Sequence, residues 1–343
     1  MDNNYKSILD RVNLQEFKSK TILITGANGL IGGFLTDFFI YLNEEHSYNV
    51  NLILSSLSKD PQRLKHTLDK TYVKYLSKDL ALDAEWDIES IDYCFYCAGY
   101  AQPSKFIAQP INTLLLNSVG LESTLREVFK NKTAKAIYIS SSEVYLSNKT
   151  EKAHSEKDLI TVDTTNRRNF YVLGKLNGEA IVNNFRAQGL NATSARVSLC
   201  YGPGILVDDS RVLSEIVQKG FSDSPTIKLF DDGSASRRYL HVTDFAVMLF
   251  NISLKGSEGV YNVCGEEQST IYDIANMVAS KLNKVVEKGK TNVLVSQTAP
   301  KVVWNSLERY KGEFGNIEFK PLSEGVEEFV DWYSNQLESW SSK

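Results

Sequence analysis

Two residues in the run Tyr171-Val172-Leu173-Gly174-Lys175, a tyrosine and a lysine four apart, have the types and spacing to do chemistry. Four residues is about one helical turn, so the two side chains share a face and the ammonium can sit beside the phenol and favour its phenolate. A phenol ordinarily titrates near ~10. A neighbouring cation brings it toward working pH, where it can take a proton from a hydroxyl. Upstream, Ser140-Ser141-Ser142-Glu143-Val144-Tyr145 places hydroxyls and a carboxylate at the end of an apolar run. A third cluster is Thr25-Gly26-Ala27-Asn28-Gly29-Leu30-Ile31-Gly32, which follows an apolar strand and opens a helical pattern. Glycines there permit a tight turn, close approach of backbone to a pyrophosphate, and packing of helix on strand. The helix N-terminus attracts the phosphate charge.

These clusters need a scaffold, and the apolar pattern predicts one. Strand-like runs at Thr21 to Thr25, Val50 to Ser55, Ile91 to Ala98, Ala136 to Ser140 and Ala192 to Val197 alternate with helical patterns around Leu30 to Leu42, Asn117 to Phe129 and Tyr171 to Gln188. Such βαβ alternation specifies a doubly wound α/β fold, a parallel sheet with helices on both faces and right-handed crossovers. Ligands are expected outside the carboxyl ends of the strands. Residues 1–19 read as an amphipathic helical extension packing on the sheet edge, with Ile8, Leu9, Val12, Leu14 and Phe17 on one side. Residues 20–200 form the dinucleotide-binding unit, and 201–343, with shorter strands and loops rich in Asp, Gly and Ser, a smaller appended α/β region.

Composition excludes several classes. A chain of 343 residues, 42% hydrophobic, can bury a large core. Its net charge of -4, with Lys and Arg dispersed among acids, gives no field for nucleic acid. The first 20 residues lack a signal-type apolar core, and no window approaches ~18 apolar residues. The expectation is a soluble, cytoplasmic protein without a membrane partner. Cys94 and Cys97 have metal-pair spacing, but on a buried strand they point to opposite faces, so no metal site is expected.

Gly26-x-x-Gly29-x-x-Gly32, Asp79-Leu80, Cys97-Ala98-Gly99, Asn117, Ser141-Ser142-Glu143-Val144-Tyr145, Tyr171-x-x-x-Lys175, Tyr201-Gly202-Pro203 and Arg237-Arg238-Tyr239 resemble the extended short-chain dehydrogenase/reductase family that modifies nucleotide sugars. The UDP-glucuronate decarboxylase branch is the nearest within it. Ala101 to Phe106 running into Gln109-Pro110, then Ser141-Ser142-Glu143, then Asp208-Asp209-Ser210-Arg211-Val212 carry that likeness.

The resemblance implies a Rossmann sheet, a C-terminal substrate-binding region, a tightly held NAD and a nucleotide-sugar substrate. It implies that Tyr171 takes the proton from the sugar 4-hydroxyl, that Lys175 lowers the pKa of Tyr171 and holds the nicotinamide ribose, and that Ser141 hydrogen-bonds the 4-oxygen. Gly26, Asn28, Gly29, Leu30, Ile31, Gly32, Ser55, Asp79, Leu80, Ala98, Gly99 and Asn117 join Tyr171 and Lys175 around the cofactor. Glu143 and Arg237 would orient a uronate, with Arg168 and Arg211 partners for carboxylate or diphosphate. A homodimer built on the helices around Asn117 to Phe129 and Tyr171 to Gln188 is implied too.

Departures from the pattern bear on specificity. Sugar 4,6-dehydratases of this family place an acid where this chain has Ser142, and a serine is a poor proton donor to a leaving hydroxide. The second strand ends in Ser55-Ser56 without the acid that grips the ribose in NAD users, and with Lys59 these could hold a 2′-phosphate, so NADP stays open. Leu199 stands at a substrate-binding position where relatives carry Asn or His, and Tyr201-Gly202-Pro203-Gly204 lacks an arginine found after the proline in several branches. Besides decarboxylation, the Ser/Tyr/Lys set serves 4-epimerisation or 4-ketoreduction. A non-catalytic dinucleotide sensor has no reason to keep that set together.

Overall fold

Seven parallel strands carry the site. The computed structural model describes residues 2–83, 85–145, 152–206, 209–290 and 302–341, the side chains as far as residue 337. Strands β1 (Thr21–Thr25), β2 (Asn51–Ser56), β3 (Val73–Ser77), β4 (Tyr93–Tyr96), β5 (Lys135–Ser141), β6 (Asn191–Val197), β7 (Leu199–Tyr201), β8 (Thr226–Lys228), β9 (Ser236–His241), β10 (Val260–Val263), β11 (Gln268–Thr270) and β12 (Val285–Glu287) follow in chain order. The main sheet runs β10-β6-β5-β4-β1-β2-β3. The order reverses between β1 and β4, the switch point outside which ligands bind in such sheets. Small sheets β11-β9-β7 and β12-β8 belong to the C-terminal part.

Helices α1 (Asp2–Arg11), α2 (Leu30–His46), α3 (Pro103–Ala108), α4 (Pro110–Leu115), α5 (Leu121–Val128), α6 (Phe170–Ala187), α7 (Val212–Gly220), α8 (Val242–Lys255) and α9 (Ile271–Lys281) are followed by helices at Glu308–Phe314 and Leu322–Ser341. The central strands are apolar on both sides because helices cover both faces. One face packs Phe34, Phe38 and Phe39 of α2 and Phe250 of α8 against Ile22, Ile24 and Phe95. The other packs Leu121, Leu125 and Val182 against Leu23, Cys94 and Tyr96. Cys94 and Cys97 divide between the two clusters, and the thiols are free.

Three expectations change. The N-terminal extension is a helix only to Arg11, followed by a 3₁₀ turn at Gln15–Phe17, and α1 packs on α8 and α2. Tyr5 packs on the rings of Phe34, Phe38 and Tyr41 in α2, because its apolar stripe matches that helix rather than a strand edge. Residue 200 does not end the main sheet: β10 pairs in parallel with β6, so the chain returns to it after building part of the appended region. The expected helix over Asn117 to Phe129 begins as a π-helical turn at Leu116–Gly120 before α5. Gly120 lets that turn approach Leu80, whose carbonyl oxygen would lie 2.4 Å from an added Cβ.

Candidate active site

The glycine turn sits at the switch point. Gly26 has φ +63, where L side chains are strained, and a Cβ there would meet the Cys97 carbonyl oxygen at 2.7 Å. A Cβ on Gly32 would lie 2.5 Å from the Gly26 carbonyl oxygen. The turn therefore folds tightly against the end of β4, where the Ala98 N–H donates to Thr25 Oγ1 at 3.1 Å. Gly29 caps α2 without a side chain, and Leu30 and Ile31 open the helix with their N–H groups unpaired by its own turns.

The donor set fits a dinucleotide. Asn28 Oδ1 and Ser55 Oγ are buried with no hydrogen-bond partner, at the carboxyl ends of β1 and β2. Ala98 and Gly99 follow β4, and Gly99 faces Lys175, since a Cβ there would sit 3.4 Å from Nζ. Asp79 Oδ1 accepts from the Ala81 N–H, bracing the Asp79-Leu80 loop beside the same end of the sheet.

Helix α6 aligns the reactive residues. Tyr171, Lys175 and Glu179 recur every four residues, which puts them on one stripe facing β5. Gly174 and Gly178 between them let the helix close on Asn117 and Tyr138: a Cβ at Gly178 would lie 2.4 Å from the Tyr138 hydroxyl oxygen. Buried Asn117 is held from both ends, donating to the Thr113 carbonyl at 2.7 Å and accepting from Tyr138 at 2.6 Å. Asn117 is thus a support of the helix pair in this structure.

Lys175 Nζ donates to the Ile139 carbonyl at 2.8 Å and lies 5.8 Å from the Tyr171 ring centroid. Burial lowers its pKa to about 8, against the attraction of Cys97 and Glu179. Tyr171 is pushed well above the usual phenol range, first by burial and then by the Glu143 carboxylate, while a hydrogen bond from Ser141 and the charge of Arg211 pull it back. Lys175 thus stands over the Tyr171 ring with one of its three N–H groups bound to Ile139, and the charge of Arg211 also acts on the phenol. Phe106 stacks on the Tyr171 ring at 4.7 Å and fixes its plane.

Ser141 ends β5, and its Oγ accepts from the Glu143 N–H at 3.2 Å, which turns the chain into the Ser142–Tyr145 3₁₀ segment. That turn brings Ser142 and Glu143 into a cleft also lined by Arg168, Leu199, Arg237, Arg238, Ser198 and Asn305. Arg168 Nη2 lies 3.9 Å from Glu143 Oε2. Burial raises the Glu143 pKa above its ordinary value, with Arg168 and then Arg237 opposing. Burial lowers Arg237. The cleft thus sets three guanidinium groups against one carboxylate.

Arg211 is turned elsewhere: its Nε is 3.0 Å from Asp209 Oδ1, and Gln102 Nε2 donates to Asp209 Oδ2 at 3.0 Å. This tie links the 101–106 segment to the start of α7. Asp208 lies outside the described residues. Sequence reasoning missed Ser198, Arg238 and Asn305. Arg238 adjoined a flagged arginine, whereas nothing local marks Asn305, which only the tertiary fold brings to the cleft.

The chain matches the model of the NAD dependent epimerase/dehydratase family over residues 22–264. It is 28% identical over 324 residues to a dTDP-4-dehydro-6-deoxy-D-allose reductase of Streptomyces bikiniensis, spanning 92% of this chain and 96% of that one. It is 23% identical to UDP-glucuronic acid decarboxylase 1 of Danio rerio, across 95% of this chain and 75% of that one. Among solved structures it superposes with TM-score 0.80 on an epimerase of Methanothermobacter thermautotrophicus at 18% identity, covering 99% of this chain and 98% of that one. A UDP-glucuronic acid 4-epimerase of Bacillus cereus, solved with UDP-glucuronic acid and NAD, superposes with TM-score 0.73 at 20% identity, covering 92% and 99%.

Proposed function

The chain belongs to the NAD dependent epimerase/dehydratase family, and from that premise we propose that this nucleotide-sugar-modifying enzyme acts on C4 of a UDP-hexuronate and decarboxylates it. The observation that carries this reading is the charge balance of the cleft beside Tyr171 and Ser141. Arg168, Arg237 and Arg238 against Glu143 leave positive charge for an anionic sugar substituent. The Gly26–Gly32 turn, Ser55, Asp79-Leu80, Ala98-Gly99 and Lys175 would hold NAD, which would supply a hydride acceptor and donor.

Tyr171, held by the Phe106 stack, would take the 4-hydroxyl proton as a phenolate, the form that the Lys175 ammonium over its ring and the charge of Arg211 favour, and Ser141 would hydrogen-bond the same oxygen. Lys175 keeps its ammonium at the base of the site. With C4 a carbonyl, the carboxylate at C5 belongs to a β-keto acid, so the C5–C6 bond breaks, its electron pair enters the carbonyl as an enolate, and carbon dioxide leaves. Glu143, whose carboxyl holds its proton more readily than usual, is placed to return a proton to C5. Ser142 offers no acid for loss of a C6 hydroxyl, which disfavours 4,6-dehydration.

A second reading is 4-ketoreduction, favoured by the 28% identity to the allose reductase. It uses the same Tyr171 as proton donor and consumes reduced cofactor. Incubation with UDP-glucuronate and NAD, and separately with UDP-hexoses and 4-keto-6-deoxy sugar nucleotides, decides between them by mass spectrometry. Loss of carbon dioxide supports decarboxylation, and an isobaric product means epimerisation. Consumption of NADH or NADPH means reduction, and the choice between these two also settles the cofactor. We expect a homodimer through α5 and α6, beside which Ile111 of α4 and Val119 of the π-helical turn are exposed. Gel filtration tests it. Among the described residues no helix is long and apolar enough to cross a membrane.

A further inference from the structure

The cleft that holds Glu143 contains polar atoms that no group among the described residues satisfies. Ser198 Oγ, Arg238 Nε and both amide atoms of Asn305 are buried without a hydrogen-bond partner, and all three residues line the cleft. Asn305 is the most telling, at 1% exposure. Its backbone is tied down on both sides: the His154 N–H donates to the Trp304 carbonyl at 2.7 Å, and the Ser306 N–H donates to the His154 carbonyl at 2.8 Å. Its own carbonyl lies within reach of Cys264 Sγ at 3.6 Å and Arg238 Nη1 at 3.5 Å. A rigid backbone thus presents a carboxamide to a cleft with nothing paired to it. Burying such a group unpaired is costly, so it marks a position completed by a ligand. Exchanging the amide nitrogen and oxygen changes nothing, since neither has a partner.

We infer that Asn305, with Ser198, forms a neutral hydrogen-bonding subsite for the sugar ring, reading a hydroxyl or amide substituent rather than a methyl group. A carboxamide both donates and accepts, as does a hydroxyl, so the pair matches a substituent of the same double character. Charged groups of the sugar would meet Arg168 and Arg237, which line the same cleft, and Leu199 and Val303 add apolar surface to it. This subsite rests on the nucleotide-sugar reading given above and adds to it a specificity-determining residue from the C-terminal segment. A site built to pair a hydroxyl rejects the deoxy analogue strongly, because the partner groups are then left bare.

The test compares wild type with Asn305→Leu and Ser198→Ala, measuring KM and kcat for the nucleotide sugar that the wild type turns over. It also measures binding of NAD, and of UDP and dTDP as bare nucleotides, and the melting temperature without ligand. The expected result for Asn305→Leu is a KM raised about 10- to 100-fold, with NAD and bare nucleotide bound as before. Its melting temperature should be no lower than that of wild type, because the native amide has no partner among the described residues to lose. Ser198→Ala, a smaller change, should raise KM several-fold and keeps the question answerable if Asn305→Leu fails to fold. Unchanged KM in both variants overturns the subsite. Loss of bare-nucleotide binding places Asn305 at the nucleotide and overturns the sugar assignment. A wild-type protein that neither binds nor converts any nucleotide sugar is a different outcome, which overturns the proposed function and this subsite with it.

Discussion

Lys175 is a charge held in a dry place, and its removal should be legible in stability as a function of pH. The side chain is 4% exposed and its ammonium has the Ile139 carbonyl as hydrogen-bond partner. Burial brings its pKa from 10.5 to about 8, a lowering of about 2.5 units that corresponds to ~3 kcal/mol. The folded state therefore disfavours the charged form relative to the unfolded chain. Below pH ~8 both states are charged and the penalty is complete; as pH rises from ~8 to ~10.5 the folded protein has released a proton that the unfolded chain still binds, so stability rises. Lys175→Met keeps the length of the side chain and abolishes the titration. Urea unfolding of both ligand-free proteins at pH 7, 8, 9 and 10 isolates this group, because the other titrations are common to the two. The wild type should gain stability on the variant, on the order of 2 kcal/mol, between pH 7 and pH 10. Parallel curves would refute the reasoning, by showing that Lys175 titrates in the folded protein as it does in water.

Tyr171→Phe should lower kcat by about 10²- to 10⁴-fold while NAD still binds, as followed by turnover and by calorimetry. Glu143→Gln should remove the alkaline limb of the kcat profile, on which activity falls as pH rises and Glu143 loses the proton that it delivers to C5; in the wild type that limb lies above the ordinary carboxylate range, because burial raises Glu143. Gly26→Ala combines a positive φ with a contact at 2.7 Å to the Cys97 carbonyl oxygen, so a loss of stability above about 2 kcal/mol is expected in denaturant titration together with loss of dinucleotide binding. Glu179→Ala strands the buried Arg196 guanidinium and should cost about 3–5 kcal/mol by the same titration.

Much of this architecture is legible in the sequence because its signals are local. The strands at Thr21, Val50, Ala136 and Ala192 are apolar runs buried on both faces, and the glycine turn and the Tyr171 to Lys175 spacing follow from one strand end and one helix. Edge strands are harder to read. Strand β3, Val73-Lys74-Tyr75-Leu76-Ser77, is only partly buried along its length and carries no alternation. Strand β10 lies far along the chain and is recognisable only once β6 is there to pair with it. The same distinction divides the site. Ser141, Glu143 and Tyr171 sit in dense local patterns, whereas Asn305 reaches the cleft through a bridge to His154, a contact between distant segments. The hydrogen-bond partner of Lys175 is likewise a matter of tertiary packing: spacing puts the ammonium on the face of Tyr171, and the Ile139 carbonyl that it also meets is supplied by β5.

The reason the site tolerates so much buried polarity lies just beneath it. Glu179, on the Tyr171–Lys175 stripe, accepts from Ser140 Oγ at 2.6 Å and from Arg196 Nε and Nη2 at 2.9 and 2.7 Å. Arg196 Nη1 in turn donates to the Tyr145 hydroxyl at 2.8 Å, and Tyr145 donates to Asn262 Oδ1 at 2.7 Å. The chain of bonds joins the residue before Ser141, the helix that carries Tyr171, the residue two after Glu143, and strand β10. A bidentate buried pair contributes little net stability by itself, since desolvation offsets most of its attraction. What it does contribute is geometry: each end of the Ser140–Tyr145 segment is bonded into the same network, so Ser141 and Glu143 cannot shift without leaving a charge unpaired. That penalty, rather than the strength of any single bond, holds the hydroxyls and the carboxylate in register with Tyr171.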